Sequence, residues 1–146
     1  MSAPPEDSGL RRAGASLAGL PVLVVDDNRD AADSLSMLLE IKGCRVSVAY
    51  DGAEALAAAA RQRPAAMVLD IAMPGMNGYD VARRMRADPQ LASTLIIALT
   101  GFGHEEARRQ VREAGIDHHL VKPVDIESLL ALLTSAPHGA PAAAER

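Results

Sequence analysis

The chain has 146 residues, of which 49% are hydrophobic, 23% charged and only 2% aromatic. This length suits one domain with a hydrophobic core and leaves no space for a second domain of ordinary size. The formal net charge of -4, with both signs mixed along the chain, provides no broad basic surface and argues against nucleic acid as a partner. The single cysteine, Cys44, excludes an internal disulfide and a multi-cysteine zinc site, so we interpret it as a small apolar core residue.

The two ends of the chain have the composition of flexible segments. Residues 1–19 are rich in Pro, Gly, Ser, Ala and charge, and residues 137–146 have the same character. We predict a flexible leader over 1–19, a folded domain over 20–136 and a flexible tail over 137–146. No apolar run reaches the roughly 18 residues of a membrane span, and charged residues interrupt any signal-peptide core. We therefore expect a cytoplasmic protein without a membrane partner.

The first half of the chain alternates short apolar runs with helical patterns. Residues 22–25 are continuously apolar, as in a strand covered on both faces. Apolar residues then recur at i, i+3, i+4 spacing over 28–42, and Gly43 stands where this helix should end. A second strand is predicted over 45–49. Asp51 with Glu54 is a capping-box variant that opens an Ala-rich helix, which Pro64 ends.

The second half repeats the alternation. Strands are predicted over 66–69, 95–99 and 118–121, and helices over 78–87, 104–114 and 125–134. Five strands alternating with five helices predict an α/β fold with a doubly wound five-stranded parallel sheet in the order 2-1-3-4-5, the flavodoxin-like (βα)5 arrangement. The loops after strands one and three then open on one crevice, which brings Asp26 and Asp27 beside Asp70.

Polar residues follow the central strands at this one edge of the sheet. Each has a structural explanation when taken alone: Asp27 caps a helix, Asp70 begins a turn, Thr100 bonds a local backbone group and Lys122 is solvated. Taken together, they indicate a reaction site. Lys42 and Lys122 are the only lysines in a chain that otherwise uses arginine, which favours a compact point charge before Pro123.

Clustered carboxylates predict a metal ion, because two carboxylates about 4 Å apart repel by about 4 kcal/mol at an effective dielectric of 20. A hard oxygen ligand set without His or Cys favours Mg²⁺, with Mn²⁺ as a possible substitute. The expected ligands are Asp26, Asp27, Asp70 and a backbone carbonyl near Ala72. A free oxygen of Asp70, helped by Thr100 and Lys122, then suits phosphoryl transfer through an acyl phosphate.

Four motifs carry a family resemblance. VLVVDDN at 22–28, VLDIAMPGMNG at 68–78, ALTG at 98–101 and LVKP at 120–123 resemble the receiver domains of two-component response regulators, over about residues 21–135. The resemblance implies that Asp70 accepts phosphate from a histidine kinase or histidine phosphotransfer protein, that Asp26 and Asp27 form the acidic pair, and that Lys122 contacts the phosphoryl group. It also implies that Thr100 is a switch hydroxyl and that the peptide before Pro123 is cis.

The resemblance further implies that a conformational switch acts on a downstream protein through the face of the fourth helix, fifth strand and fifth helix. One residue departs from the family pattern, since His119 stands where many receivers have the aromatic partner of the switch Thr. His119 is either a smaller switch residue or a surface residue. His118 and His119 face opposite sides of a strand and make a poor metal pair.

Several alternatives remain open. The chain is expected to hold no output domain, and it resembles receivers attached to hybrid histidine kinases, so it is either a stand-alone regulator or part of a longer kinase. We expect no enzyme activity beyond its own phosphorylation and dephosphorylation. An aspartyl-phosphate phosphatase would need a general acid where Ala72 stands, and a flavin binder would need a Ser/Thr-rich loop in place of Asp26-Asp27-Asn28. A pseudo-receiver would only mediate contacts.

Overall fold

Five strands alternate with five helices in the computed structural model, which describes residues 17–101 and 105–137. The strands are β1 Pro21–Val25, β2 Arg45–Ala49, β3 Ala66–Asp70, β4 Leu95–Thr100 and β5 His118–Val121. The helices are α1 Arg29–Ile41, α2 Gly52–Gln62, α3 Gly78–Ala87, α4 Glu105–Glu113 and α5 Ile126–Leu133. Most of the predicted leader and tail, together with His104 at the predicted start of the fourth helix, lies outside the described residues.

The strands form a single parallel sheet in the order β2-β1-β3-β4-β5. Val24 is the register partner of Val48 on one side and of Val68 on the other, so β1 lies between β2 and β3. The predicted fold class and strand order are therefore confirmed. Because parallel strands all end at the same edge, this order brings the residues after β1, β3, β4 and β5 to one side of the molecule.

Two hydrophobic cores cover the two faces of the sheet. Leu23, Met67 and Ile96 pack with α2, α3 and α4, whereas the alternate positions of the same strands pack with α1 and α5. Burial of each large apolar side chain contributes about 1.5–3 kcal/mol relative to its exposure. Coverage on both faces explains why the central strands are continuous apolar runs instead of alternating patterns.

The helix caps locate the functional loops. The side chain of Asn28 accepts a hydrogen bond from the Ala31 N–H at 3.1 Å, so Asn28 begins α1. Asp51 accepts from the Glu54 N–H at 2.7 Å and begins α2, as predicted. The carboxylate of Glu54 accepts from the Tyr50 N–H at 2.7 Å, one residue before the usual partner in a capping box.

Helix α1 leaves several large apolar side chains exposed to solvent. Leu39 is fully buried, but Leu38 of the same predicted stripe is 43% exposed, and Met37 and Ile41 are more exposed still. Cys44 is buried at the end of this helix, as predicted. Among the residues that the structure describes, no helix is long and apolar enough to cross a membrane.

Arg86 connects α3 to the edge of the sheet where the strands begin. From α3, Arg86 donates to the carbonyls of Gly115 at 2.7 Å and Thr94 at 2.7 Å, and its guanidinium lies 2.7 Å from Oδ2 of Asp117. The same carboxylate oxygen accepts from the Ile96 N–H at 2.8 Å. Arg86 thereby ties α3 to the starts of β4 and β5, a contact that the sequence patterns did not predict.

Candidate active site

Four strands deliver polar side chains to the carboxyl edge of the sheet. Asp70 and Thr100 are the last residues of β3 and β4, and Asp26 and Lys122 directly follow β1 and β5. Asp26, Asp70 and Thr100 are all less than 10% exposed, although they are polar. Because a buried polar side chain is costly unless it is paired, these positions are typical of a functional site.

The carboxylates of Asp26, Asp27 and Asp70 form a cluster whose ligand oxygens all lie within 4.8 Å of one another. Nζ of Lys122 is 2.9 Å from Oδ1 of Asp70 and provides one positive charge. Three carboxylates and one ammonium leave a formal charge of minus two, and each pair of carboxylates repels by roughly 3–4 kcal/mol at an effective dielectric of 20. A divalent cation would cancel this charge, and an all-oxygen donor set fits Mg²⁺ or Mn²⁺.

Ionisation at the cluster reflects these opposing effects. Burial raises the pKa of Asp26 above its ordinary value, the negative charge of Asp70 raises it further, and a hydrogen bond from the Asn28 N–H opposes both. Burial lowers the pKa of Lys122, but the hydrogen bond to Asp70 and the charges of the three carboxylates outweigh it and hold that pKa above its ordinary value. Lys122 therefore stays charged beside Asp70 at neutral pH.

The structure decides against several of the single-residue explanations. Asn28, one residue after Asp27, caps α1, which leaves the exposed carboxylate of Asp27 beside Asp26 and Asp70. Asp70 belongs to β3 itself, where Leu99 is its register partner. Lys122, although its side chain is 41% exposed, forms an ion pair with Asp70.

The loop after Asp70 is shaped by close backbone packing. The Gly78 N–H donates to the Ile71 carbonyl at 3.1 Å and closes the loop. A Cβ atom on Gly78 would lie 2.8 Å from Cα of Ile71 and 2.9 Å from the Asp70 carbonyl oxygen, so only glycine fits there. Ala72 lies exposed in this loop, two residues beyond Asp70. The metal-ligand role of its carbonyl remains a prediction.

The predicted switch residues surround the site without joining the carboxylate cluster. The Lys122-Pro123 peptide is cis, as the resemblance implies. Val121 is the register partner of Thr100, and His119 is that of Ala98, so His119 lies half-buried on the same face of the sheet as Thr100. His118 pairs with Ile97 and faces the other side, in agreement with the prediction that the two histidines form no metal pair.

An apolar groove of about 460 Å³ opens beside the cluster, between α1 and the loop from β5 to α5. Asp26 and Lys122 stand at the groove, and its apolar wall includes Leu38, Val124 and Ile126. The groove explains the exposure of Leu38, which the helical pattern placed with the buried residues.

A second group of side chains at this edge escaped the sequence patterns. The Tyr50 hydroxyl donates to Oδ1 of Asp33 at 2.7 Å, and the Arg29 guanidinium lies 4.1 Å from the centre of the Tyr50 ring. Arg29 and Asp33 are four residues apart on α1, so both face Tyr50. Their spacing is visible in the sequence, but their partner at the end of β2 is set by the way α1 packs beside that strand.

Sequence comparison identifies the family to which the chain is similar. The model for the response regulator receiver domain matches residues 22–134. The chain is 40% identical over 110 residues to the response regulator MprA of Mycobacterium ulcerans, covering 75% of this chain and 47% of MprA. It is 39% identical over 118 residues to an uncharacterized 14.6 kDa protein of Leptolyngbya boryana, covering 81% of this chain and 90% of that protein. The chain thus spans about half the length of MprA.

Solved structures agree with the family model. The chemotaxis protein CheY4 of Vibrio cholerae superposes with a TM-score of 0.77 at 34% identity, covering 82% of this chain and 99% of CheY4. The receiver domain of the sensor histidine kinase PA1611 of Pseudomonas aeruginosa, whose structure has a magnesium ion coordinated in its active site cleft, gives 0.73 at 33% identity, covering 80% and 95%. From its motifs, strand order and these matches, the chain belongs to the response regulator receiver domain family of two-component signalling.

Proposed function

We propose that this chain is a phosphoacceptor that takes a phosphoryl group onto Asp70 in a Mg²⁺-dependent reaction. The observation that carries the proposal is the cluster of three carboxylates with Lys122 bonded to Asp70. Two buried carboxylates close together, of which Asp70 is paired with one ammonium, are poorly stabilised by themselves, which is typical of a site built for an additional charged group.

The proposed step is a displacement at phosphorus. An oxygen of the Asp70 carboxylate forms a bond to phosphorus while the phosphorus–nitrogen bond of a donor phosphohistidine breaks, and the bonding electrons leave with the imidazole nitrogen. Lys122 offsets negative charge on the transferring oxygens, and the Thr100 hydroxyl donates a hydrogen bond to the phosphoryl group once it is attached.

Asp26, Asp27 and Asp70, with the Ala72 carbonyl, are the proposed holders of the metal ion. The ion supplies charge neutralisation and orientation for the phosphoryl oxygens. The donor set supports Mg²⁺, with Mn²⁺ as a substitute, and so does the magnesium ion in the cleft of the PA1611 receiver domain. Between donor encounters, Lys122 keeps the Asp70 carboxylate in place.

The proposed donor is a histidine kinase or a histidine phosphotransfer protein that approaches over the groove beside α1. The groove supports this direction because its apolar wall is continuous with Asp26 and Lys122. Leu38→Ser should slow transfer from a phosphorylated donor protein while leaving phosphorylation by acetyl phosphate unchanged. Met37→Ser is the matched control, since Met37 is exposed on the same helix but does not line the groove.

The proposed output is a change in the face formed by α4, β5 and α5. Phosphate on Asp70 adds negative charge that attracts Thr100 and Lys122, and both residues are joined to β5. His119 lies on the Thr100 side of β5, where it is placed to respond to that movement. A downstream protein would read the altered face.

We further propose that the chain acts on no substrate other than itself and functions in the cytoplasm. A phosphatase acting through an aspartyl phosphate is disfavoured because Ala72 has no proton to transfer where such an enzyme has its general acid. A pseudo-receiver is disfavoured because the acidic cluster and Lys122 are both present.

The experiment that tests the proposal is a titration with beryllofluoride and Mg²⁺ followed by amide NMR. We expect saturable shifts at Asp70, Thr100 and the β5 residues in the wild-type chain, because beryllofluoride on an aspartate mimics its phosphate. Asp70→Asn should show no such shifts. Equal shifts in the two proteins would contradict the assignment of Asp70.

A further inference from the structure

The segment from Asp26 to Asn28 is short and lies between two fixed ends. It leaves the sheet at Val25, whose register partner is Ala49, and enters α1 at the Asn28 cap. The Asp26 N–H donates to the Ala49 carbonyl at 3.1 Å, and Oδ1 of Asp26 accepts from the Asn28 N–H at 2.9 Å. The placement of the acidic pair therefore depends on where the first turn of α1 stands relative to the end of β2.

Tyr50 holds the first turn of α1 against the end of β2. It directly follows Ala49, and its hydroxyl donates to Oδ1 of Asp33 at 2.7 Å. Its ring lies under the Arg29 guanidinium at 4.1 Å, within the range of a cation–π contact. The hydrogen bond to Asp33 stabilises the protonated phenol of Tyr50 and so raises its pKa above the ordinary value. We name Arg29, Tyr50 and Asp33 the tyrosine clamp.

The residues after Tyr50 also reach the loop that follows Asp70. The Tyr50 N–H donates to Glu54 at 2.7 Å and fixes the start of α2. There, a Cβ atom on Gly52 would lie only 2.9 Å from Sδ of Met76, which belongs to the loop after Asp70. Tyr50 thus contacts the first helix through Arg29 and Asp33, and Gly52 at the start of α2 contacts the loop that follows Asp70.

We infer that Tyr50 is a positioning residue for the acidic pair: through the tyrosine clamp it sets where Asp26 and Asp27 stand, and thereby how tightly the site holds Mg²⁺. This inference rests on the proposed metal site. The Tyr50 ring packs against one of the hydrophobic cores, whereas its hydroxyl bond to Asp33 is exposed, so loss of that bond alone leaves the core packing in place. Its effect should therefore appear in cation affinity more than in folding.

The test is a Mg²⁺ titration of the full chain, followed by the amide shifts of Asp27 and Tyr50. Tyr50→Phe keeps the ring beneath Arg29 and deletes only the hydroxyl, so the net charge is unchanged. We expect this variant to raise the Mg²⁺ dissociation constant about three- to tenfold, which is less than the full strength of one hydrogen bond to a charged group because the clamp acts on the ion only through the placement of Asp26 and Asp27. In the wild type, the Tyr50 amide should saturate together with that of Asp27.

Two acidic variants separate positioning from charge. Asp33→Asn removes one carboxylate and weakens the clamp, and Asp30→Asn removes one carboxylate from the first turn of the same helix while the Tyr50 hydroxyl bond to Asp33 stays intact. We expect Asp33→Asn to weaken Mg²⁺ binding more than Asp30→Asn does. The losses in the Tyr50→Phe, Asp33→Asn double variant should be less than additive, because both changes act on the same bond.

The outcomes are distinct. Saturable Mg²⁺ binding that is equal in the wild type and Tyr50→Phe overturns the inference alone, even if Tyr50→Phe lowers the thermal midpoint. Absence of any saturable shift in the wild type overturns the proposed metal site and the inference with it. Equal losses in Asp30→Asn and Asp33→Asn, with none in Tyr50→Phe, would show that only charge matters and would also overturn the inference.

Discussion

The two edges of the sheet each hold an aspartate paired with a cation, but the pairs differ in what surrounds them. At the amino edge, Arg86 contacts Asp117 at 2.7 Å and also donates to backbone carbonyls of two loops. At the carboxyl edge, Lys122 contacts Asp70 at 2.9 Å beside two further carboxylates. The first pair is completed by the protein itself, whereas the second retains excess negative charge.

Under the proposed function, the amino edge stabilises the fold and the carboxyl edge reacts. Arg presents a planar fork that joins several acceptors at once, which suits a permanent connection between α3, β4 and β5. Lys presents a single compact charge that a phosphoryl group can share. An ion pair is therefore a structural contact at one edge and a candidate catalytic contact at the other, according to how much negative charge surrounds it.

The largest expected effect concerns Lys122. Lys122→Ala should slow phosphorylation of Asp70 by acetyl phosphate about 10²- to 10³-fold, because charge stabilisation at the transferring group is lost. Its stability should also fall, because Asp70, whose side chain is only 4% exposed, loses its ion-pair partner. Phosphorylation rates and thermal midpoints measure the two effects. Lys42→Ala, at the only other lysine, is the control and should keep the wild-type rate.

At the amino edge, the expected change is in stability and not in metal binding. Arg86→Leu should lower the free energy of unfolding by about 2–3 kcal/mol, because partly buried carbonyls and Asp117 lose their donor. Arg83→Leu, which loses only an exposed pair with Asp80, should stay within about 0.5 kcal/mol of the wild type. Urea denaturation measures both variants. If a folded Arg86→Leu variant bound Mg²⁺ more weakly, this would contradict the proposal that the amino edge contributes only to stability.

A smaller effect is expected from Asp26 in Mg²⁺-free buffer with a chelator. Its raised pKa means that the folded state binds more protons than the unfolded state as the pH rises from the ordinary value of 3.8 through the folded value. The contribution of Asp26 to stability therefore falls with rising pH across that interval. Asp26→Asn should remove this slope and increase stability at neutral pH by on the order of 1 kcal/mol. Thermal midpoints across the pH series measure it, and a less stable Asp26→Asn would contradict the account.

The smallest effect concerns Ala72. With no side chain there to orient or block water, the lifetime of the phosphate should depend mainly on access through the loop. Ala72→Asn introduces an amide that can orient a water molecule, so we expect dephosphorylation to become severalfold faster. Loss of the phosphorylated species over time, followed by mass spectrometry, measures the rate. Equal rates would exclude a role for this position.

The fold and the carboxyl edge are predictable from the sequence because both depend on local signals. Apolar runs mark the strands, and the strand order follows from their alternation with helices, so the sequence pattern by itself brings Asp26 and Asp70 together. Arg86 and Asp117 lie far apart in the chain, and each resembles an ordinary surface residue. Their contact depends on how α3 packs on the sheet, which periodicity does not report.

Side-chain environments are less predictable than elements. The helical pattern assigns Leu38 to the buried stripe, but Leu38 lines the groove beside Pro123 and is partly exposed there. Tyr50 gives no signal in its own part of the chain, since its partners are on α1. The role of His119 stays a prediction, because its position on the Thr100 face permits a switch but does not require one.

The most direct test of the central claim is the identification of the phosphorylated residue. The full chain is incubated with acetyl phosphate and Mg²⁺, and its intact mass is compared with that of Asp70→Asn treated in the same way. The account predicts that the wild type gains the mass of one phosphoryl group, that a chelator prevents the gain, and that Asp70→Asn gains nothing. An unmodified wild type, or undiminished modification of Asp70→Asn, would contradict it.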